Sequence, residues 1–202
     1  MTASDYYRDL ARATDPARRV GWESLAMQRL RFAAVRAELV ADDGVLDLGA
    51  GLGDLGRYLQ ENDHPGAYLG IERDAELVRL GRAMAPPVAL ELGDALASVR
   101  VAAVAVALGT LVDGSSLRSD GVRFTRLRAL FAAVRRASTR LGLVVVAKQE
   151  AIEARPVLAA DDALGGMRAA ELAWLEPDGA AELVDLSPVD WLVRLRRGRS
   201  AS

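Results

Sequence analysis

Val45-Leu46-Asp47-Leu48-Gly49-Ala50-Gly51-Leu52-Gly53 is the stretch that decides what kind of fold this chain adopts. Its first four residues predict a short buried strand, and the glycines that follow allow positive φ and a close approach of a ligand to the backbone. Asp54 to Glu61 predicts a helix directly after them, with Leu55 and Leu59 four apart. The free N–H groups of such a helix point back at the loop and suit a carboxylate or a phosphate. Gly51, Gly53 and Gly56 also satisfy the dinucleotide spacing G-x-G-x-x-G. A tight turn that binds nothing is the plain alternative.

Outward from this loop, strand and helix patterns alternate. Asn62 to Gly66 is a turn, Ala67 to Ile71 a second strand, and Asp74 to Met84 a helix stopped by Pro86-Pro87. Val88 to Leu92 predicts a third strand. The run Val101 to Leu108 predicts a fourth, apolar enough to be covered on both faces. Phe124, Leu127, Leu130, Val134 and Leu141 mark an amphipathic helix before a fifth strand at Leu143 to Ala147. Ala159 to Trp174 is a weaker helix, and Ala181 to Leu186 with Val189 to Leu195 a closing pair of strands. From Asp5 to Ala41 the pattern is helical, with Ser4 and Asp15 as N-caps and an apolar stripe at Leu25, Leu30, Ala34 and Leu39. Alternating βα units imply a mainly parallel α/β sheet with helices on both faces, and ligands that bind outside the carboxyl ends of its strands.

Composition removes several chemistries. Among 202 residues there is no cysteine, which excludes disulfides, thiolate metal sites and a cysteine nucleophile. The single histidine, His64, precedes the second strand, at the end of the sheet away from the ligand, and reads as a solvated turn residue. Lys148 is the only lysine. The net charge of −2 does not favour non-specific nucleic-acid binding. No apolar stretch approaches the roughly 20 residues that span a bilayer, and the first residues do not resemble a secretory signal. A cytoplasmic protein, monomeric or homodimeric, is expected.

Two acids sharpen the reading of the glycine loop. Glu72 ends the second strand 19 residues beyond Gly53, near the spacing of an acid that holds ribose hydroxyls. A carboxylate there accepts from both the 2′- and the 3′-hydroxyl, which points to an unphosphorylated nucleoside. Asp94, in Leu92-Gly93-Asp94-Ala95, ends the third strand where an adenine amino group would be met. Each acid alone is more often a helix cap or a solvated loop residue, and it is their occurrence together at consecutive strand ends that carries the reading.

On these residues the chain resembles the class I S-adenosylmethionine-dependent methyltransferases. Asp47-Leu48-Gly49-Ala50-Gly51-Leu52-Gly53 is similar to their D-x-G-x-G-x-G motif, Glu72 to their acid after the second strand, and Gly93-Asp94-Ala95 to their adenine-side motif. The resemblance spans residues 40 to 197. It implies a three-layer Rossmann-like sandwich with a seven-stranded sheet in the order 3-2-1-4-5-7-6, strand seven antiparallel. It implies S-adenosyl-L-methionine as cofactor and S-adenosyl-L-homocysteine as product, with Asp47 near the amino group of the methionine portion. Asp47, Gly49, Ala50, Gly51, Gly53, Glu72, Arg73, Asp94, Ala95 and Leu108 are then the cofactor-binding residues. Residues 1–41 would be an N-terminal helical arm or lid and 42–202 the catalytic domain. Val20-Gly21-Trp22 with Gln28-Arg29-Leu30-Arg31-Phe32 resembles the arm of some small bacterial members, and Tyr7, Trp22 and Gln28 are its lid or substrate candidates.

The substrate side is less typical of the family. Leu108 to Gly114 lacks the N-P-P-Y-type motif that accompanies methylation of nucleobase or glutamine nitrogens, and no acid cluster suggests a metal. Asp113 and Glu150 are the candidate bases, needed only if the nucleophile arrives protonated. Lys148 either orients an anionic substrate or is a surface charge. The expected activity is methyl transfer to a small-molecule acceptor by in-line displacement, driven mainly by proximity and desolvation. The alternatives are a cofactor-binding protein without transferase activity that acts with a partner, a fold member with non-methylating chemistry, and an NAD(P)-binding oxidoreductase. The last fares worst, because Asp47 would set a buried carboxylate near a pyrophosphate.

Overall fold

The structure is a computed structural model that describes residues 24–108, 120–148, 167–175 and 181–196. Seven strands form one sheet: β1 (Val45–Leu48), β2 (Tyr68–Glu72), β3 (Leu90–Leu92), β4 (Ala102–Leu108), β5 (Ser138–Ala147), β6 (Ala181–Ser187) and β7 (Asp190–Arg196). Their order is β3-β2-β1-β4-β5-β7-β6, with β7 antiparallel to both neighbours and the pairs from β3 through β5 parallel. The helices are α1 (Leu25–Glu38), α2 (Asp54–Glu61), α3 (Ala75–Ala83), α4 (Asp120–Ala137) and the short α5 (Leu172–Leu175), which follows a 3₁₀ turn at Ala169–Glu171.

The period of two along each strand divides the core in two. In β4, Val104 and Val106 face α1 and α2, while Ala105 and Ala107 face α4, and all four are fully buried. One core joins Phe32 and Val35 of α1, and Leu39 just past it, to Leu55 and Leu59 of α2; the other joins Leu127, Leu130, Phe131 and Val134 of α4 to β5 and β7. This is the three-layer α/β sandwich and the strand order that the resemblance implied.

Helix α1 belongs to this packing. It starts at Ser24, whose hydroxyl accepts from the Met27 N–H at 3.3 Å. The buried residues are Gln28, Phe32, Val35 and, past the helix end, Leu39, steps of four, three and four. Leu25 and Leu30 of the predicted stripe are 46% and 41% exposed, because a step of five leaves the helical face. Arg31 donates twice to Asp190 of β7, at 2.8 and 2.5 Å, and Glu38 accepts from Arg194. Asp190 pairs with the end of β5, so the N-terminal half of α1 lies at the carboxyl edge of the parallel strands. Ser4, Asp15, Tyr7 and Trp22 lie outside the described residues.

Two further expectations are corrected. Leu141 continues the period of α4, yet the helix ends at Ala137 and the chain enters β5 at once. The Ser138 hydroxyl donates to the Arg135 carbonyl at 3.2 Å, and pairing of Val104 with Leu141 claims the residue for the sheet. His64 is buried rather than solvated: its Nε2 lies 2.9 Å from the Asp43 carbonyl just before β1, and its Nδ1 is enclosed without a partner. This confirms its place at the end of the sheet opposite the glycine loop.

Candidate functional site

The loop between β1 and α2 is built by its glycines. Gly49, Gly51 and Gly53 have φ of 86°, 57° and 84°, a left-handed run that side chains with a Cβ resist. The N–H groups of Gly49 and Ala50 both donate to the Ile71 carbonyl, at 2.8 and 3.0 Å, which binds the loop to the end of β2. A Cβ on Gly53 would come within 2.7 Å of Val88, and one on Gly81 within 2.4 Å of the Leu52 carbonyl oxygen. The loop is therefore wedged between β3 and α3.

A buried guanidinium holds it there. Arg57 donates to the Leu52 carbonyl at 2.8 Å, to the Gly81 carbonyl at 2.6 Å and to Asp54 at 3.3 Å. Asp54 also accepts from the Gln28 amide at 3.3 Å. Gln28, a lid or substrate candidate on sequence, is thus a buried brace between α1 and the first turn of α2. Arg57 reads on sequence as the exposed partner of an i,i+3 pair, and only its burial reveals the second job.

Glu72 closes the site from β2. Its Oε2 accepts from the Gly51 N–H and its Oε1 from the Asp74 N–H, both at 2.9 Å. Each carboxylate oxygen retains capacity for one further donor. Next to it, the Gly93 N–H donates to the Glu72 carbonyl at 2.9 Å and brings the β3 end alongside. Exposed Asp94 accepts from the Leu96 N–H at 2.9 Å, and Ala95 packs against the core. Arg73 is exposed, and buried Leu108 ends β4. The structure therefore gathers Asp47, the three glycines, Glu72, Asp94 and Leu108 at the carboxyl edge of β1 to β4. Asp113 and Glu150 lie outside the described residues. Lys148, at the end of β5, donates to Asp185 at 2.7 Å and sits 4.2 Å over the Trp191 ring, so its charge is committed to the β6–β7 hairpin.

Asp47 is the electrostatic oddity of the site. All of β1 is buried, and a carboxylate in such a strand is costly. Its pKa is raised to about 7: burial is the largest cause, the Tyr68 hydroxyl, which donates to Oδ2 at 2.8 Å, opposes it, and the charges of Glu72 and Asp54 add to it. Burial also holds Asp54 above its ordinary value, against Arg57 and Gln28. Three acids, Asp47, Asp54 and Glu72, thus lie beneath and beside the loop with Arg57 as their cation. The site carries a negative excess and favours a ligand with positive charge. Among the described residues no group of acids and histidines is arranged to hold a metal ion, and no helix is long and apolar enough to cross a membrane.

Compared by sequence, the chain matches no family model and no curated protein. Compared by structure, it is similar to many solved proteins. The PH0226 protein of Pyrococcus horikoshii OT3 superposes with a TM-score of 0.68 at 14% identity, over 96% of this chain and 99% of that one. Magnesium protoporphyrin IX methyltransferase of Synechocystis PCC 6803, solved with bound S-adenosylhomocysteine, gives 0.68 at 13% identity, over 96% and 94%. CalO1, a methyltransferase of calicheamicin biosynthesis solved in its S-adenosylhomocysteine-bound form, gives 0.63 at 23% identity, over 96% of this chain and 61% of that one. With the strand order and the glycine loop already in place, these likenesses identify the fold of the chain as that of the class I S-adenosylmethionine-dependent methyltransferases.

Proposed function

We propose that this protein binds S-adenosyl-L-methionine at the glycine loop and transfers its methyl group to a small-molecule acceptor. The observation that carries the reading is the negative excess of Asp47, Asp54 and Glu72 around a left-handed glycine loop. A cofactor with a sulfonium and an ammonium fits that field, whereas the pyrophosphate of NAD would meet it unfavourably. Methyltransferases of the same fold carry S-adenosylhomocysteine in their structures, which supports the choice. When bound, the cofactor supplies an electrophilic methyl carbon for in-line displacement. The chain's own part is to bind and orient. Glu72 accepts the ribose hydroxyls on its remaining lone pairs, Asp94 receives the adenine amino group, and Asp47 faces the amino group of the methionine portion. The glycines bring backbone close enough to exclude water from the site.

The test is ligand-induced stabilisation followed by calorimetry. S-Adenosylhomocysteine raises the melting temperature of the full chain and NADH does not; the reverse order overturns the reading. Glu72→Gln keeps the side-chain size and one acceptor oxygen but removes the charge. Loss of a charge-assisted bond of about 1.5–3 kcal/mol weakens S-adenosylhomocysteine roughly ten- to a hundredfold. An unchanged dissociation constant removes Glu72 from the site.

A further inference from the structure

Tyr68 stands in β2 with a slot cut for it. A Cβ on Gly56 of α2 would lie 2.6 Å from both Cδ1 and Cε1 of its ring, and a Cβ on Gly70 would lie 3.0 Å from its hydroxyl. Two glycines on different elements thus clear the space for one phenol. The ring is directed so that its hydroxyl reaches Asp47 Oδ2 at 2.8 Å. Among the described residues the Tyr68 hydroxyl is the one group that donates to this carboxylate. We infer that Tyr68 is a positioning residue for the cofactor: by holding Oδ2 it fixes the Asp47 carboxylate in one orientation, with Oδ1 left to face the cationic amino group. This inference rests on the proposed cofactor site.

The hydroxyl also governs charge. The groups that act on Asp47 are Tyr68 and Glu72 from β2 and Asp54 from α2, with Arg57 of α2 and neutral Gln28 of α1 holding Asp54. Burial, Glu72 and Asp54 all favour protonated Asp47, and the Tyr68 hydrogen bond is what opposes them. A protonated Asp47 cannot pair with an ammonium group. Without the hydroxyl, protonation competes with binding at higher pH.

The experiment uses the full chain and Tyr68→Phe, which leaves the ring in its slot. In free protein labelled with ¹³C at the aspartate carboxyls, Asp47 is identified by the signal that Asp47→Asn abolishes. Its titration midpoint rises in Tyr68→Phe by about one pH unit, the scale of one hydrogen bond to a charged group. In parallel, S-adenosylhomocysteine binds wild type more tightly as pH rises through the Asp47 midpoint. In Tyr68→Phe that transition moves up by the same amount, for a loss of roughly fivefold at pH 7 that shrinks at alkaline pH. In the Asp47→Asn background, Tyr68→Phe changes affinity no further. A purely structural role gives a loss uniform in pH, and either that result or an unshifted Asp47 midpoint overturns the inference while the cofactor site stands. Failure of wild type to bind S-adenosylhomocysteine at every pH overturns the site and the inference together, even if the midpoint shifts.

Discussion

At Asp47 the cost of a site is borne by the fold. The unfolded carboxyl has its ordinary pKa of 3.8 and the folded one a value of about 7. Between those values the folded chain holds the extra proton, so its stability falls as pH rises through the window and levels off above it. The free protein is therefore expected to melt at a lower temperature at pH 8 than at pH 5.5. Asp47→Asn, which still accepts from Tyr68, flattens that slope and is the more stable form at pH 8; thermal unfolding of both proteins across the range checks this, and equal slopes refute it. Asp47, Glu72 and the three left-handed glycines are legible in the sequence because they stand together in one short motif and at the end of the next strand. Arg57 and Tyr68 are not. Asp54-x-x-Arg57 has the look of any exposed helical pair, and a tyrosine in a strand signals only packing. Their roles arise from distant partners, Gly81 for Arg57 and Gly56 for Tyr68, that no local pattern links.

Among the elements, those with strong periodicity are legible, and the two departures have different causes. The stripe in α1 fails at Leu25 and Leu30, where a step of five leaves the buried face, and the end of α4 fails at Leu141, which pairing with β4 claims for the sheet. Gln28 is the instructive case: the sequence offers it as a lid or substrate candidate, while apolar steps alone do not place it on the buried face of α1, because its partner Asp54 lies in another helix. The packing of α3 against the glycine loop gives a test at this scale. A methyl at Gly81 would collide with the Leu52 backbone, which cannot rotate away as a side chain would. Gly81→Ala is expected to cost about 1–3 kcal/mol in urea unfolding. It also displaces the loop, so S-adenosylhomocysteine binding weakens alongside; a variant that loses stability while binding normally shows that α3 moves instead of the loop.

For the molecule as a whole, the alternation of strands and helices gave the fold class, but alternation alone leaves the sheet order open. The 3-2-1-4-5-7-6 order entered through the motif resemblance, and the structure bears it out. What no motif disclosed is how the two ends of the described chain are clipped together. Asp190 is 1% exposed and takes both oxygens of its carboxylate to Arg31, 159 positions away. Among the described residues, Arg31→Ala leaves this buried charge with only the Ser187 hydroxyl, and it is expected to destabilise the domain by about 3 kcal/mol. Asp190→Asn added to it recovers part of that loss; denaturant titration of the three proteins decides, and an unaffected midpoint in Arg31→Ala dismisses the clip. The position of β7 has a consequence for biosynthesis. It is the last strand in the described chain and it lies inside the sheet, between β5 and β6. A polypeptide emerging from the ribosome must therefore expose the bare flank of β5 until nearly all of these strands have been translated, and α1 must wait for its anchor just as long. The sheet therefore closes only once the last of its described strands has been translated, and the interval in which a sheet edge stands open is when a nascent chain most needs protection from its neighbours.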